Sequence, residues 1–299
     1  ELADLAKEKA ELEHLLATPD VMQKLIIKEI EADKKKFADP RRTLIVEAER
    51  ASLEVTVVDE PVTIILSEKG WMRARQGHAL DLQNLSFKDG DTLLAFIECR
   101  SIDPIAMFGT DGRVYSIQAS IIPGGRGDGA PVTTLVDLAP KSQITQLLAA
   151  KPQDHVVIAN SNGYGFYCLF ENLMSRQKAG KSFLTLEEGE TLLKVSTFVP
   201  RETSHVACLS QNSKLHIFTF SEFKQLTGGG RGVITMAFDD KDSLAAITVC
   251  DGLTLKISGT GRAGKAIDWV LNTNEIAAYL GKRARKGKPI HAGLKMPRF

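Results

Sequence analysis

Up to about residue 40 the apolar positions fall three or four apart. Leu2, Leu5, Leu12 and Leu16, with a break at Lys9, stand among Glu and Lys. This spacing predicts an amphipathic helix of the coiled-coil kind. Thr18-Pro19-Asp20 predicts a restart, with the Thr18 side chain capping the new helix, Pro19 where its missing donor costs nothing, and Asp20 facing the positive helix end. Val21, Leu25, Ile26 and Ile30 continue the spacing. Asp39-Pro40 ends it, because the residue before proline leaves the helical region. Beginning inside a helical pattern, the chain reads as a piece of something longer.

From about residue 60 the period changes to short strands punctuated by Gly, Asn and Asp, the pattern of an all-β domain. Four segments share one form, apolar strand, polar turn, apolar strand: Val62–Met72, Ile105–Tyr115, Val156–Phe166 and Val206–His216. Their turn residues Gly70, Gly112, Gly163 and Ser213 lie 42, 51 and 50 positions apart. The Asp-Gly and Asn-Gly turns predict hairpins with two successive positive φ values. A weaker fifth copy starts at Leu253 and turns through Gly259 to Gly264. Repeats of this size are those of propeller blades, and a ring gives every blade a neighbour on which to bury its apolar face. The expected architecture is mainly β, a five-bladed propeller-like disc over residues 61–299 behind a helical arm and linker over 1–60. The blades fall at about 61–104, 105–154, 155–204, 205–250 and 251–299. A β-solenoid is the structural alternative.

A second element follows the hairpins, rich in glycine and cations: Gly124–Gly129 with Arg126, Arg176–Lys181 with Lys178, Gly228–Gly232 with Arg231, and Gly281–Lys288 with Lys282, Arg283, Arg285 and Lys286. Glycine lets the backbone approach a phosphate closely while the neighbouring cations supply charge. Recurrence at one place in the repeat lines these cations along one edge of the ring. The net charge of +1 conceals a gradient. Residues 1–60 hold ten Lys/Arg against fifteen Asp/Glu, residues 61–275 hold twenty-one against twenty-two, and after Glu275 there are seven cations and no acid. Such a tail suits a polyanion.

Other chemistry is set aside. Cys99, Cys168, Cys208 and Cys250 form no C-x-x-C pair and read as small, reduced strand residues. Gly259–Ala266 comes within one residue of a phosphate-binding G-x-x-x-x-G-K-[ST] loop, but Ala266 offers no hydroxyl for Mg²⁺. Six histidines show no metal-ligand spacing, and Arg126-Gly127-Asp128 is a coincidental tripeptide. No stretch approaches the roughly 18 apolar residues of a bilayer span, and the start lacks a signal peptide's character, so a cytoplasmic protein is expected.

The runs Gly90-Asp-Thr92, Gly109–Tyr115, Ser161–Phe166 and Arg176–Lys181 resemble the C-terminal domains of the A subunits of gyrase and topoisomerase IV, and the likeness covers essentially the whole chain. Those domains are β-pinwheels, propeller-like discs whose blades exchange a strand. The family hallmark is a Q-R-R-G-G-x-G box near the first blade; the equivalent stretch Trp71–His78, with Arg73 and Arg75, lacks it and later blades carry only degenerate versions, which points to the topoisomerase IV branch instead of gyrase. The resemblance implies duplex DNA as ligand. The protein partners it implies are a second A subunit, in a dimer, and the B subunit, in a bacterial, chromosome-associated setting. It places ATP and Mg²⁺ with the parent enzyme and its B subunit, leaving this fragment without a cofactor. It places the DNA-cleaving tyrosine upstream of the arm, so Tyr115, Tyr164, Tyr167 and Tyr279 are not that residue and the fragment alone is not expected to cleave DNA. The expected DNA-binding residues are Arg73, Arg75, Arg113, Arg126, Arg176, Lys178, Lys181, Arg231, Lys282, Arg283, Arg285, Lys286 and Lys288. They hold phosphates along the rim and bend the duplex partially, without reading sequence. A disc used purely to bind proteins, as WD-repeat discs are, is the rival expectation.

Overall fold

The computed structural model describes residues 1–39, 58–82, 85–125, 127–261, 265–290 and 295–299, with 295–297 described by backbone alone. Pro40, Arg126 and residues 262–264 of the Gly259–Gly264 turn lie outside the described residues. The chain divides into two compact units, Glu1–Val55 and Thr56–Phe299.

In the first unit, α1 (Leu2–Ala17) and α2 (Pro19–Phe37) are separated by the extended Thr18, φ −120° and ψ 101°. The expected side-chain cap does not form. The Thr18 carbonyl instead accepts from the N–H groups of Val21 and Met22 at 3.0 and 3.2 Å, and Pro19 at the first helical position suffices to restart the helix. Neither helix buries a residue, so the leucine stripe of α1 is exposed.

The second unit uses one theme five times. Its elements run β1 (Pro61–Ser67), β2 (Trp71–Gln76), β3 (Leu93–Arg100), β4 (Pro104–Gly109), β5 (Arg113–Gln118), β6 (Ala130–Pro131), α3 (Val132–Leu135), β7 (Ile144–Ala149), β8 (His155–Ala159), β9 (Tyr164–Leu169), β10 (Lys181–Ser182) and β11 (Ser196–Phe198). There follow β12 (His205–Ser210), β13 (Lys214–Thr219), β14 (Val233–Ile234), β15 (Leu244–Cys250), β16 (Thr254–Thr260), β17 (Ala266–Asn272), α4 (Thr273–Tyr279), β18 (Lys288–Pro289) and β19 (Lys295–Arg298). The sheets are ordered β3-β1-β2-β6, β10-β5-β4-β7, β11-β8-β9-β14, β15-β12-β13-β18 and β17-β16-β19, all antiparallel. In each four-stranded sheet the two-residue outer strand comes from the next repeat. This is the strand exchange of a β-pinwheel.

The hairpins stand where the apolar pattern put them, but the turns differ from expectation. Gly112 and Gly163 have φ of +76° and +83°, whereas Asp111 and Asn162 do not enter the positive-φ region. A single left-handed residue closes each turn, and Ser213 fills that place at +58°. Buried side chains form four clusters, each between two successive sheets: Ile64, Met72 and Tyr115; Phe108, Phe166 and Phe183; Val157, Cys208 and Phe218; and Leu209, Ile217 and Leu271 are among their members. The core therefore lies between blades. Side chains on the outward faces of the terminal sheets are exposed, Leu94 and Phe96 of β3 at 41% and 45% and Val270 of β17 at 56%. Three cysteines are buried and Cys250 half-buried, all unpaired; burial pushes the Cys168 and Cys208 thiols up to about 12.

The exchanged strand depends on a glycine just before it. A side chain on Gly129 (φ +88°) would place its Cβ 2.0 Å from the Met72 carbonyl oxygen, and one on Gly232 (φ +84°) 2.3 Å from that of Gly165. The corresponding approaches at Gly180 and Gly287 are 2.6 and 2.9 Å, to the carbonyls of Val114 and Leu215. These four residues clasp the incoming strand to the second residue of the receiving one. Gly232→Ala is expected to cost about 2–3 kcal/mol, through positive φ and the carbonyl clash. Gly228→Ala, with nothing within 4 Å, is expected to stay within about 0.5 kcal/mol. Urea unfolding of both variants checks the contrast.

Candidate nucleic-acid interface

The outer strands β6, β10, β14 and β18 occupy one edge of their sheets, and β3, β7, β11 and β15 the opposite edge. β3 lies beside β7 and β11 beside β15, so these strands mark the inner side and the clasped strands the rim. Each glycine- and cation-rich segment runs directly into a clasped strand: Gly124–Gly129 into β6, Arg176–Gly180 into β10, Gly228–Gly232 into β14 and Gly281–Gly287 into β18. Among the described residues, the cations of the later three segments lie on the stretches that enter these edge strands. The glycines, expected to serve phosphate approach, have a structural reason in the clasp.

The candidate side chains separate by what they touch. Arg73 is 3% exposed; it donates to the carbonyls of Ser86 at 2.7 Å and Gly127 at 3.1 Å and lies 5.1 Å from the Phe87 ring centroid. Burial, and then the neighbouring Arg75, lower its pKa. Arg113 donates to the carbonyls of Ala179 and Gly180, tying the clasp of β10 to its own strand. The Lys181 ammonium, its pKa lowered by burial, bonds the carbonyls of Asn172 and Met174. Arg283 donates to the Ile234 carbonyl at 2.6 Å, and Lys288 to that of Ala278. These five hold loops to the blade through backbone carbonyls.

Two more cations are held by carboxylates. Arg231 pairs with Glu187 and, at 2.9 Å, with Glu190, and its guanidinium stacks 4.1 Å above the Tyr164 ring. The hydrogen bond it donates to Glu187 raises its pKa. Burial pushes the Glu190 carboxyl upward, but the Glu187 N–H, Asn162 and Arg231 together hold it below the usual range. Asp239 accepts from both Lys214 and Lys286, which bring it down to about 2. The acidic runs Glu187–Glu190 and Asp239–Asp242 were the available sequence signal for these partners.

Arg75, Arg176, Lys178, Lys282 and Arg285 make no side-chain hydrogen bond or ion pair among the described residues, and all except the half-buried Arg75 are exposed. The Arg75 Nε is itself buried without a partner. Arg126 lies outside the described residues. Among the described residues no cluster of three His, Cys, Asp or Glu suits a metal, and no helix is long and apolar enough to cross a membrane.

A family model described as the DNA gyrase C-terminal domain, a β-propeller, matches residues 154–198 and 204–251. The A subunit of DNA topoisomerase 4 from Neisseria gonorrhoeae is 38% identical over 305 residues, covering 99% of this chain and 39% of that protein. Its counterpart from Escherichia coli (strain K12) is 31% identical over 296 residues, 96% of this chain and 39% of the relative. The chain thus spans about two-fifths of the length of these relatives. Among solved structures, the E. coli ParC C-terminal domain superposes with a TM-score of 0.69 at 30% identity, over 80% of this chain and 96% of that one. A DNA gyrase A C-terminal domain, at 17% identity and TM-score 0.57 over 77% and 76% of the two chains, shares the fold. Exchanged rim strands and a sequence likeness running the chain's length agree, and this chain belongs to the family formed by the C-terminal domains of topoisomerase IV and gyrase A proteins, apart from the catalytic core of those enzymes.

Proposed function

We propose that the β-pinwheel binds duplex DNA along its rim, without sequence preference, and bends it partially. One observation carries this reading: cation-bearing segments recur at the outer edge of four successive sheets, with Arg176, Lys178, Lys282 and Arg285 exposed and unengaged. Phosphate contacts of this kind fix position without reading bases. Bending a site of about 20–30 bp costs on the order of 1–6 kcal/mol, which several such contacts offset. Arg75 and Arg126 complete the contact set. Arg73, Arg113, Lys181, Arg283 and Lys288 support it by holding the loops, while Arg231 and Lys286, neutralised by Glu187, Glu190 and Asp239, contribute less.

The parent protein on this reading is the A subunit of a topoisomerase IV, dimeric and partnered by a B subunit that brings ATP and Mg²⁺. The pinwheel presents a DNA segment to the cleavage core for decatenation and supercoil relaxation, in the bacterial cytoplasm. This part of the chain cleaves nothing and takes no cofactor.

Fluorescence anisotropy with a duplex of about 40 bp, titrated against salt, is the direct test. Six rim cations give a log–log slope of about −5 at about −0.9 per phosphate, and Arg176→Ala with Lys178→Ala reduces it by about 2. Absence of binding at low salt overturns the proposal. In the same assay Glu187→Gln, which removes a rim charge and loosens Arg231, is expected to tighten DNA binding about two- to fivefold.

A further inference from the structure

The segment entering each clasp is braced against the receiving hairpin at one fixed place, four residues beyond the turn. Ala74 donates its N–H to the Pro123 carbonyl at 2.9 Å; Tyr167 donates to Lys224 and accepts from Leu226; Ile217 accepts from Gly281 at 2.8 Å. The corresponding residue of the second sheet is Ser116, and there the brace is its side chain. The Ser116 hydroxyl donates to the Ser175 carbonyl and accepts from the Ser175 N–H, each at 2.7 Å. A side chain thus stands between strand and segment. In the third sheet Tyr167 fills the space beside the brace, its ring 4.8 and 5.8 Å from those of Phe220 and Phe223. Ser116 fills nothing, and an open groove of 700 Å³ lies there.

Ile117, Ile121, Leu135 and Met174 line this groove, together with Arg176 and Lys178, and among the described residues no Asp or Glu does. Ile121 is 59% exposed, although it belongs to the short turn of helix that follows β5. The volume falls within the range of about 300–1,000 Å³ that holds ligands. An apolar floor rewards a buried aliphatic side chain, and two unpaired cations on the lip reward an adjacent carboxylate. Bare phosphate backbone matches the lip and leaves the floor unused.

We propose that this groove is a docking site for an extended segment of a partner protein that carries aliphatic side chains next to Asp or Glu. Because Arg176 and Lys178 also belong to the proposed DNA rim, the segment and the duplex exclude one another there. Only that exclusion rests on the DNA reading.

The probe is a fluorescein-labelled peptide of about nine residues with two leucines flanked by glutamates, beside one control with glutamine for glutamate and one with serine for leucine. Saturable binding of the acidic leucine peptide is expected, at least about tenfold tighter than either control, and weakened about tenfold both by Ile121→Ser and by Arg176→Ala with Lys178→Ala. Ile121 is exposed, so its substitution leaves folding intact, and DNA affinity of Ile121→Ser is expected within about twofold of the parent. Equal binding of all three peptides, binding indifferent to Ile121→Ser, or no saturable binding overturns the proposal. Peptide binding with no DNA binding leaves the groove standing and removes the rim; DNA binding with no peptide binding does the reverse.

Discussion

Everything in the pinwheel depends on a carbonyl oxygen meeting a bare backbone. At Gly129, Gly180, Gly232 and Gly287 the incoming chain passes so close to the neighbouring hairpin that a β-carbon would lie 2.0–2.9 Å from its carbonyl. That approach lets two residues, too few to stand as a strand alone, close the edge of a sheet. It also fixes where the next apolar side chain lands. Val132, Phe183, Met236 and Ile290, three or four residues beyond each clasp, are buried in the clusters between blades. Clasp and core are one construction, and the cations ride on the loop that makes it.

The hairpins were legible in the sequence because each apolar strand is five to eight residues long and ends at a residue tolerant of positive φ. The exchanged strands were not, since two residues carry no period. The glycine segments were visible but ambiguous, because tight backbone passage and phosphate approach ask for the same residue. α4 was missed although its signal is present: Asn272 accepts from the N–H groups of Asn274 and Glu275 while Glu275 reaches back to Asn272, a capping box spelled three residues apart.

The candidate site was legible as a place and less so as a set of side chains. Arg73 and Arg75, two positions apart, share one face of β2, yet the chain at Ser86 and Phe87 covers Arg73 while Arg75 stays half-buried with its Nε enclosed. Arg231 meets Glu187, forty-four positions away, only because β14 is lent to the sheet of β9. Ser116 looked like any polar strand residue. Its effect on the groove comes from what Ala74, Tyr167 and Ile217 do at the same place in other sheets.

The lending of strands forward also sets an order of assembly on the ribosome. The hairpin of β1 and β2 ends at Gln76, but its sheet is complete only when Ala130 and Pro131 have emerged. Each later four-stranded sheet likewise waits for the repeat behind it, β5 for Lys181, β9 for Val233 and β13 for Lys288. A nascent pinwheel therefore always carries one unfinished edge at its growing end, and a pause in synthesis exposes that edge to neighbouring chains.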